Sequence, residues 1–198
     1  MIETNDPCFV FGLDLDSEGG GTSIKSDELN QAWVHIDYSH PSAARFLDSL
    51  DIQEIVVQSL TQPDTRPRTV KFKEGVLVFI RGINLNPGAD PEDMVSLRMW
   101  IEANRLITVR QRKLLSIQDI NADLLVGKGP ENISDLVIAI IAKVTDRISD
   151  YVEGIEDQLV QLEVAVQSVN MSCSRSQISM LRSEIASVRR YLGPQIGR

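Results

Sequence analysis

From Ile141 onward the chain sets an apolar residue at every third or fourth position: Ile141, Thr145, Ile148, Val152, Ile155, Leu159, Leu162, Val166 and Val169, with Thr145 the one polar member. Steps that alternate between four and three define a heptad seam, and a seam this long fits only an extended α-helix packed along one side. Asn132 and Asp135 have the spacing of a helix cap, so the helix is expected to run from Ser134 to about Met171, roughly 55 Å at 1.5 Å per residue. Gly154 lies off the seam. Asn170 to Ser176 (NMSCSRS) is small and polar and predicts a turn. Ile178, Leu181, Ile185, Val188 and Leu192 then resume the same spacing, which predicts a second helix folded back antiparallel on the first. Gly193-Pro194 is where that helix is expected to be interrupted, and Gln195 to Arg198 reads as a segment cut mid-element.

The residues before the hairpin have a different grammar. Cys8 to Leu15 and Ala32 to Asp37 read as strands. Ser39-His40-Pro41 opens a helix whose apolar face is Ala43, Phe46, Leu47 and Leu50, and a second short helix follows from Ile52 to Leu60. Arg68 to Lys73 and Val76 to Ile83 form a hairpin turned at Glu74-Gly75. Val95, Leu97, Met99 and Ile101 alternate with polar or aromatic partners, and Leu106 to Val109 returns beside them. Ser116 with Asp119 resembles a capping box for a helix to about Val126. Strands and helices come first and helices alone after. The expected fold is therefore α+β: an α/β/α layered domain over 1–130, with a long antiparallel helical hairpin appended over 131–198.

Charge and motif content narrow the function. The 198 residues carry a net charge of −8, which argues against nucleic acid as a partner. Residues 1–60 hold eleven acids against only Lys25 and Arg45, whereas 61–133 hold nine acids and eleven bases. No apolar run reaches the length of about 18 residues needed to span a bilayer, and the start MIETNDPCFVFG has no basic stretch before an apolar one, so no secretory signal is expected. Cys8 and Cys173 are far apart and form no zinc-finger spacing, which predicts two free thiols in a reducing, cytosolic compartment. In that compartment Asn170-Met171-Ser172 is a chance glycosylation match. The glycine-rich loop Ser17 to Thr22 lacks the Lys-Ser/Thr ending that cradles phosphate and reads as a hairpin connection. No nucleophile, base and orienter fall into a recognisable set, so an enzyme is not expected.

Three residue groups remain as candidate sites. Asp146, Asp150, Glu153 and Asp157 follow steps of four, three and four, which lines their carboxylates along one stripe of the long helix. Such a stripe suits a hard divalent cation taken through oxygen ligands; the alternative is a solvated face paired in part with Lys143 and Arg147. His35 and Asp37 share one face of a strand and offer a minimal zinc pair, against the alternative of a structural histidine. Arg182, Arg189 and Arg190 give the second helix a basic character suited to an anionic lipid surface or to ordinary solvation.

Four segments carry a resemblance. Gly82 to Trp100 (GINLNPGADPEDMVSLRMW), Trp33 to Pro41 (WVHIDYSHP), Leu106 to Leu114 (LITVRQRKL) and Arg189 to Gln195 (RRYLGPQ) are similar to the N-terminal part of the CorA family of metal-ion transporters, in particular its ZntB-like zinc branch. The resemblance implies an α/β/α domain with long helices, present as five copies forming a cytoplasmic funnel. It also implies a stalk leading to two transmembrane helices with a Gly-Met-Asn signature between them. The ions carried would be Mg²⁺, Co²⁺, Ni²⁺ or Zn²⁺, with no organic cofactor. The present sequence has no Gly-Met-Asn and no membrane span, so no pore residue can be assigned. On this reading the chain is the cytoplasmic gating or metal-sensing domain of an inner-membrane transporter, a homopentamer joined to the membrane through a missing C-terminal region. The rival expectation is a stand-alone soluble oligomeric interaction module that docks through its coiled-coil hairpin.

Overall fold

Alternation along the strands builds one mixed sheet with a core on each face. The computed structural model describes residues 3–24, 31–63, 66–167 and 171–196. Its elements are β1 (Phe9–Leu15), β2 (Gly21–Ser23), β3 (Ala32–Asp37), α1 (Ala43–Asp48), α2 (Glu54–Thr61), β4 (Arg68–Lys71), β5 (Val76–Gly82), β6 (Val95–Ile101), β7 (Arg105–Arg110), α3 (Leu115–Leu125), α4 (Ile133–Gln167) and α5 (Met171–Ile196). The strand order is β2-β1-β3-β7-β6-β5-β4. Among these neighbours β3 and β7 pair in parallel and the others antiparallel.

On one face Val34, Ile36, Phe79, Trp100 and Val109 meet Phe46, Leu47, Val56 and Leu60 of α1 and α2. On the other, Trp33, Leu97, Met99 and Leu106 meet Ile117, Ile120 and Leu124 of α3 and Leu136, Ile140 and Val144 of α4. Each such large side chain removed from water contributes about 1.5–3 kcal/mol. The layers are those expected: helices, sheet, helices, with the long hairpin attached.

The expected seam is displaced in the first half of α4. The buried positions there are Ile133, Leu136, Ile140, Val144 and Ile148, while Ile141 is 42% exposed and Thr145 lies outside the core. The reason is the partner. A heptad suits another helix, but this stretch lies on a sheet, where a straight helix presents a stripe that follows its own 3.6-residue turn. Beyond Ile148 the partner changes to α5. Val188, Tyr191 and Leu192 share the core with Ile148, Tyr151 and Val152, and Gln177 and Leu181 share a cleft with Gln158 and Leu162, so the two helices are antiparallel as expected. The side chain of Val166, and Val169 entirely, lie outside what the structure describes, as do Asn170 and the side chain of Cys173.

Local signals were read with mixed accuracy. Asn132 caps α4: its Oδ1 accepts the Asp135 N–H at 2.9 Å and its Nδ2 donates to Asp135 Oδ2 at 2.6 Å. Ser116 and Asp119 make no capping box. Ser116 lies within α3, where its hydroxyl donates to the Lys143 carbonyl at 3.3 Å and accepts from Arg147 Nη1 at 2.9 Å. The pair is spent on binding α4 rather than on starting α3. Met171 to Ser176 is helical rather than a turn, since it holds neither Gly nor Pro to stop a helix. α5 also continues through Gly193 and Pro194 to Ile196, because a proline this near the last turn forfeits a single intrahelical bond.

The glycine-rich loop is a docked hairpin turn. Asp16 Oδ1 accepts the N–H groups of Glu18 and Gly20, both at 2.9 Å. Gly19 has φ +87°, and its carbonyl accepts the Gly129 N–H at 2.7 Å, tying the β1–β2 turn to the α3–α4 connection.

Candidate functional site

The segments that carried the resemblance gather at one end of the sheet. The β5–β6 connection is held to the β7–α3 connection at two points. Asn86 Nδ2 donates to the Lys113 carbonyl at 3.0 Å, and Arg112 reaches both oxygens of Asp93, at 2.5 and 3.1 Å. The Arg112 fork holds the Asp93 carboxyl below its usual range. From the end of β5 Arg81 donates to the Met94 carbonyl of that connection at 3.0 Å and lies 4.7 Å over the ring of Tyr191 in α5. Burial pushes the Glu184 carboxyl upward, helped by Glu92 and Asp90. Burial likewise pushes the Tyr151 hydroxyl up to about 12, with Glu184 and Glu92 adding to it. The long specific motif is thus the bracket between sheet, α3 and the hairpin.

The proposed metal ligands sit elsewhere. Asp146, Asp150, Glu153 and Asp157 are all exposed on α4. Lys143 and Arg147, expected as their partners, point instead to Asp119 of α3, at 4.0 and 2.7 Å. Among the described residues none of the four carboxylates forms an ion pair, and no three His, Cys, Asp or Glu side chains converge as a metal-holding group. Along one helix, carboxylates at steps of three or four stand about 5–6 Å apart. A single chain therefore presents neighbouring oxygens to a hydrated cation without enclosing it.

His35 takes the structural role. It is 2% exposed, its Nδ1 lies 2.8 Å from Thr108 Oγ1, and its ring stands 5.0 Å from that of Phe11. Burial, with the nearby Arg110 cation, lowers its pKa to about 3, so the imidazole is neutral. Asp37 is turned away into a local turn, its Oδ1 accepting the N–H and hydroxyl of Ser39 at 3.0 and 2.5 Å. The two do not form a zinc pair. Arg182, Arg189 and Arg190 are exposed on α5. Cys8 is a buried free thiol.

Two buried arginines were missed by the sequence reading. Arg98, 1% exposed, donates through Nη1 to the Leu60 carbonyl in the last turn of α2 and lies 3.9 Å over the Tyr38 ring. Arg110 ends β7 beside His35. The one signal available was an arginine set among mostly apolar members of a β-strand pattern, Arg98 in the middle of β6 and Arg110 at the end of β7. Among the described residues no helix is long and apolar enough to cross a membrane.

Comparison with known proteins converges on one family. The chain is 38% identical over 197 residues to the divalent cation transporter CmaX of Pseudomonas aeruginosa, covering 94% of this chain and 59% of the relative. It is 32% identical over 191 residues to the zinc transport protein ZntB of Yersinia enterocolitica, covering 94% of this chain and 58% of the relative. The solved structure of full-length CmaX superposes with a TM-score of 0.90 at 37% identity, over 98% of this chain and 62% of that one. The ZntB cytoplasmic domain from Vibrio parahaemolyticus has the same fold, with a TM-score of 0.84 at 24% identity over 95% of this chain and 76% of that one. The present chain thus spans under two thirds of the length of its curated relatives. The family described as CorA-like Mg²⁺ transporter protein matches residues 30–197, and the chain belongs to it.

Proposed function

We propose that this chain is the cytoplasmic gating domain of a transporter that moves Zn²⁺, or Mg²⁺, Co²⁺ or Ni²⁺, across the inner membrane as a homopentamer. The observation that carries the reading is the superposition on full-length CmaX, at a TM-score of 0.90 and 37% identity. The zinc assignment draws on the ZntB relative at 32% identity. The reading needs no organic cofactor, no nucleic acid and no enzymatic step, and the comparisons lend no support to a stand-alone interaction module.

The acidic stripe supplies a means of sensing. Asp146, Asp150, Glu153 and Asp157 repel one another along α4, at about 0.2–0.5 kcal/mol for each i,i+4 pair. A divalent ion relieves that repulsion, and a second subunit supplies the oxygens that one helix lacks. An ion bound more tightly by the closed ring than by the open one shifts the population toward closure.

Reconstitution of the full-length protein into liposomes with an ion-sensitive dye tests the transport reading. Zn²⁺ or Mg²⁺ entry is expected, and a protein inert to all four ions refutes it. The sensing role is tested separately by D146N, D150N, E153Q and D157N in the same vesicles. Flux that loses its dependence on internal metal supports it; an unchanged dependence removes it.

A further inference from the structure

Against the outer part of α3, β1, β3 and β7 leave a cleft of about 420 Å³ that no step of the transport reading uses. Its walls are mainly apolar, with Phe11, Leu114 and Ile117 prominent, and its charged floor is Arg110. Arg110 is only 9% exposed, and its Nε is buried with no hydrogen-bond partner. Among the described residues its side chain makes no hydrogen bond and no ion pair. The Nε atoms of Arg98 and of the half-buried Arg81 are orphaned as well, but Arg98 donates through Nη1 to the Leu60 carbonyl and Arg81 through Nη1 to the Met94 carbonyl. Asp37 faces Arg110 across the β3–β7 register and its charge favours the cation through space, but its Oδ1 is engaged by Ser39 and it makes no hydrogen bond to the guanidinium.

A guanidinium N–H buried without an acceptor is costly, and arginine cannot escape by losing its proton. An anion delivered to it recovers that cost, and the planar fork favours a group that can accept two parallel hydrogen bonds. Lys113 stands at the mouth and adds a second positive charge. The floor is rigid. Thr108 Oγ1 accepts from Trp33 Nε1 at 2.9 Å and lies 2.8 Å from His35 Nδ1, while Phe11 packs edge-on to Trp33 at 4.8 Å.

We propose that this cleft is a binding site for a small anion with an apolar body, a carboxylate or a phosphate monoester, held by Arg110. The apolar walls take the body, Arg110 takes the head group, and Lys113 steers its approach. The site is independent of the acidic stripe on α4 and of whether the whole protein transports a cation.

Calorimetry of the purified protein with benzoate, phenyl phosphate, inorganic phosphate and neutral benzamide tests it. Benzoate or phenyl phosphate is expected to bind about tenfold or more tightly than benzamide, and better than inorganic phosphate. The stronger of the two aromatic anions identifies the head group. R110M is expected to weaken binding at least about tenfold and K113E about threefold. R110M should change the thermal midpoint little, since no hydrogen bond or ion pair is lost, only the through-space attraction of Asp37. If R110M fails to fold, N121W, which fills the cleft from its lining helix, takes its place and should abolish binding. The proposal is overturned if benzamide binds as well as benzoate, if R110M or N121W binds like the unsubstituted protein, or if no aromatic anion binds at millimolar concentration.

Discussion

Arg147 of α4 and Asp119 of α3 are joined at 2.7 Å between Nη2 and Oδ2, and the same guanidinium donates to Ser116 Oγ at 2.9 Å. This contact ties the long helix to α3. Arg147→Ala is expected to cost about 1–2 kcal/mol, through the lost pair and the hydroxyl left behind. In a double-mutant cycle with Asp119→Ala, urea denaturation should return a coupling of about 1 kcal/mol. A coupling near zero would mean that the apolar face of α4 sets its position alone.

Arg98 is the second energetic test. Its guanidinium is buried against the C-terminal turn of α2, where partial negative charge accumulates, and over the Tyr38 ring. Arg98→Ala removes the cap and leaves a cavity, an expected loss of about 3 kcal/mol. Arg98→Met keeps the volume and avoids the buried charge, and should cost about half as much. Equal losses in chemical denaturation would place the whole effect in the hydrogen bond.

Gly19 and Gly127 have similar backbones and different surroundings. Both have positive φ, at +87° and +69°. A Cβ on Gly19 would fall 2.8 Å from the Gly129 carbonyl oxygen, whereas Gly127 has open space. Gly127→Ala should cost only the backbone penalty of about 1 kcal/mol, and Gly19→Ala distinctly more. Thermal midpoints of the two variants check the order.

His35 gives the fold a pH dependence of definite sign. Its folded pKa of about 3 lies below the usual value of 6.5, so the unfolded chain binds the extra proton. Stability is complete above pH 6.5 and falls as the pH drops toward 3. Asp6 adds a lower window. Hydrogen bonds from Ser42 and the Cys8 N–H bring its pKa from 3.8 to about 2, so its contribution is lost between those values. Unfolding midpoints of His35→Gln against pH should be flatter than those of the unsubstituted protein between pH 6.5 and 4. Parallel curves would show that His35 is not the titrating group.

Much of the architecture was readable because it rests on period. Val95, Leu97, Met99 and Ile101 alternate, and β6 lies where that alternation says. Of the helical spacing beyond Ile148, Val152 and Leu162 meet α5 while Leu159 stays 41% exposed. What period cannot state is which neighbour a face meets. Ile140 and Val144 are buried in place of Ile141 and Thr145 because the partner of that stretch is a sheet. The candidate metal residues were legible as a stripe, and the structure keeps them exposed without gathering them. Arg110 was illegible, because its character depends on the lack of a hydrogen-bond acceptor among three strands and a helix. Ser116 misled for a similar reason: the sequence showed a local partner, and the fold supplied Arg147.

The division of α4 at Ile148 has a mechanical meaning. Its first turns are packed on one side against the sheet and α3 and the remainder rests on α5, so the helix is a cantilever rooted in the sheet. From Ile148 to Leu162 this arm measures roughly 21 Å at 1.5 Å per residue. A tilt of roughly 5° at the root carries Leu162 through roughly 2 Å, by the same helical rise. Asp150, Glu153 and Asp157 ride on that arm, so a small strain where Arg147 grips Asp119 becomes a larger displacement of charge.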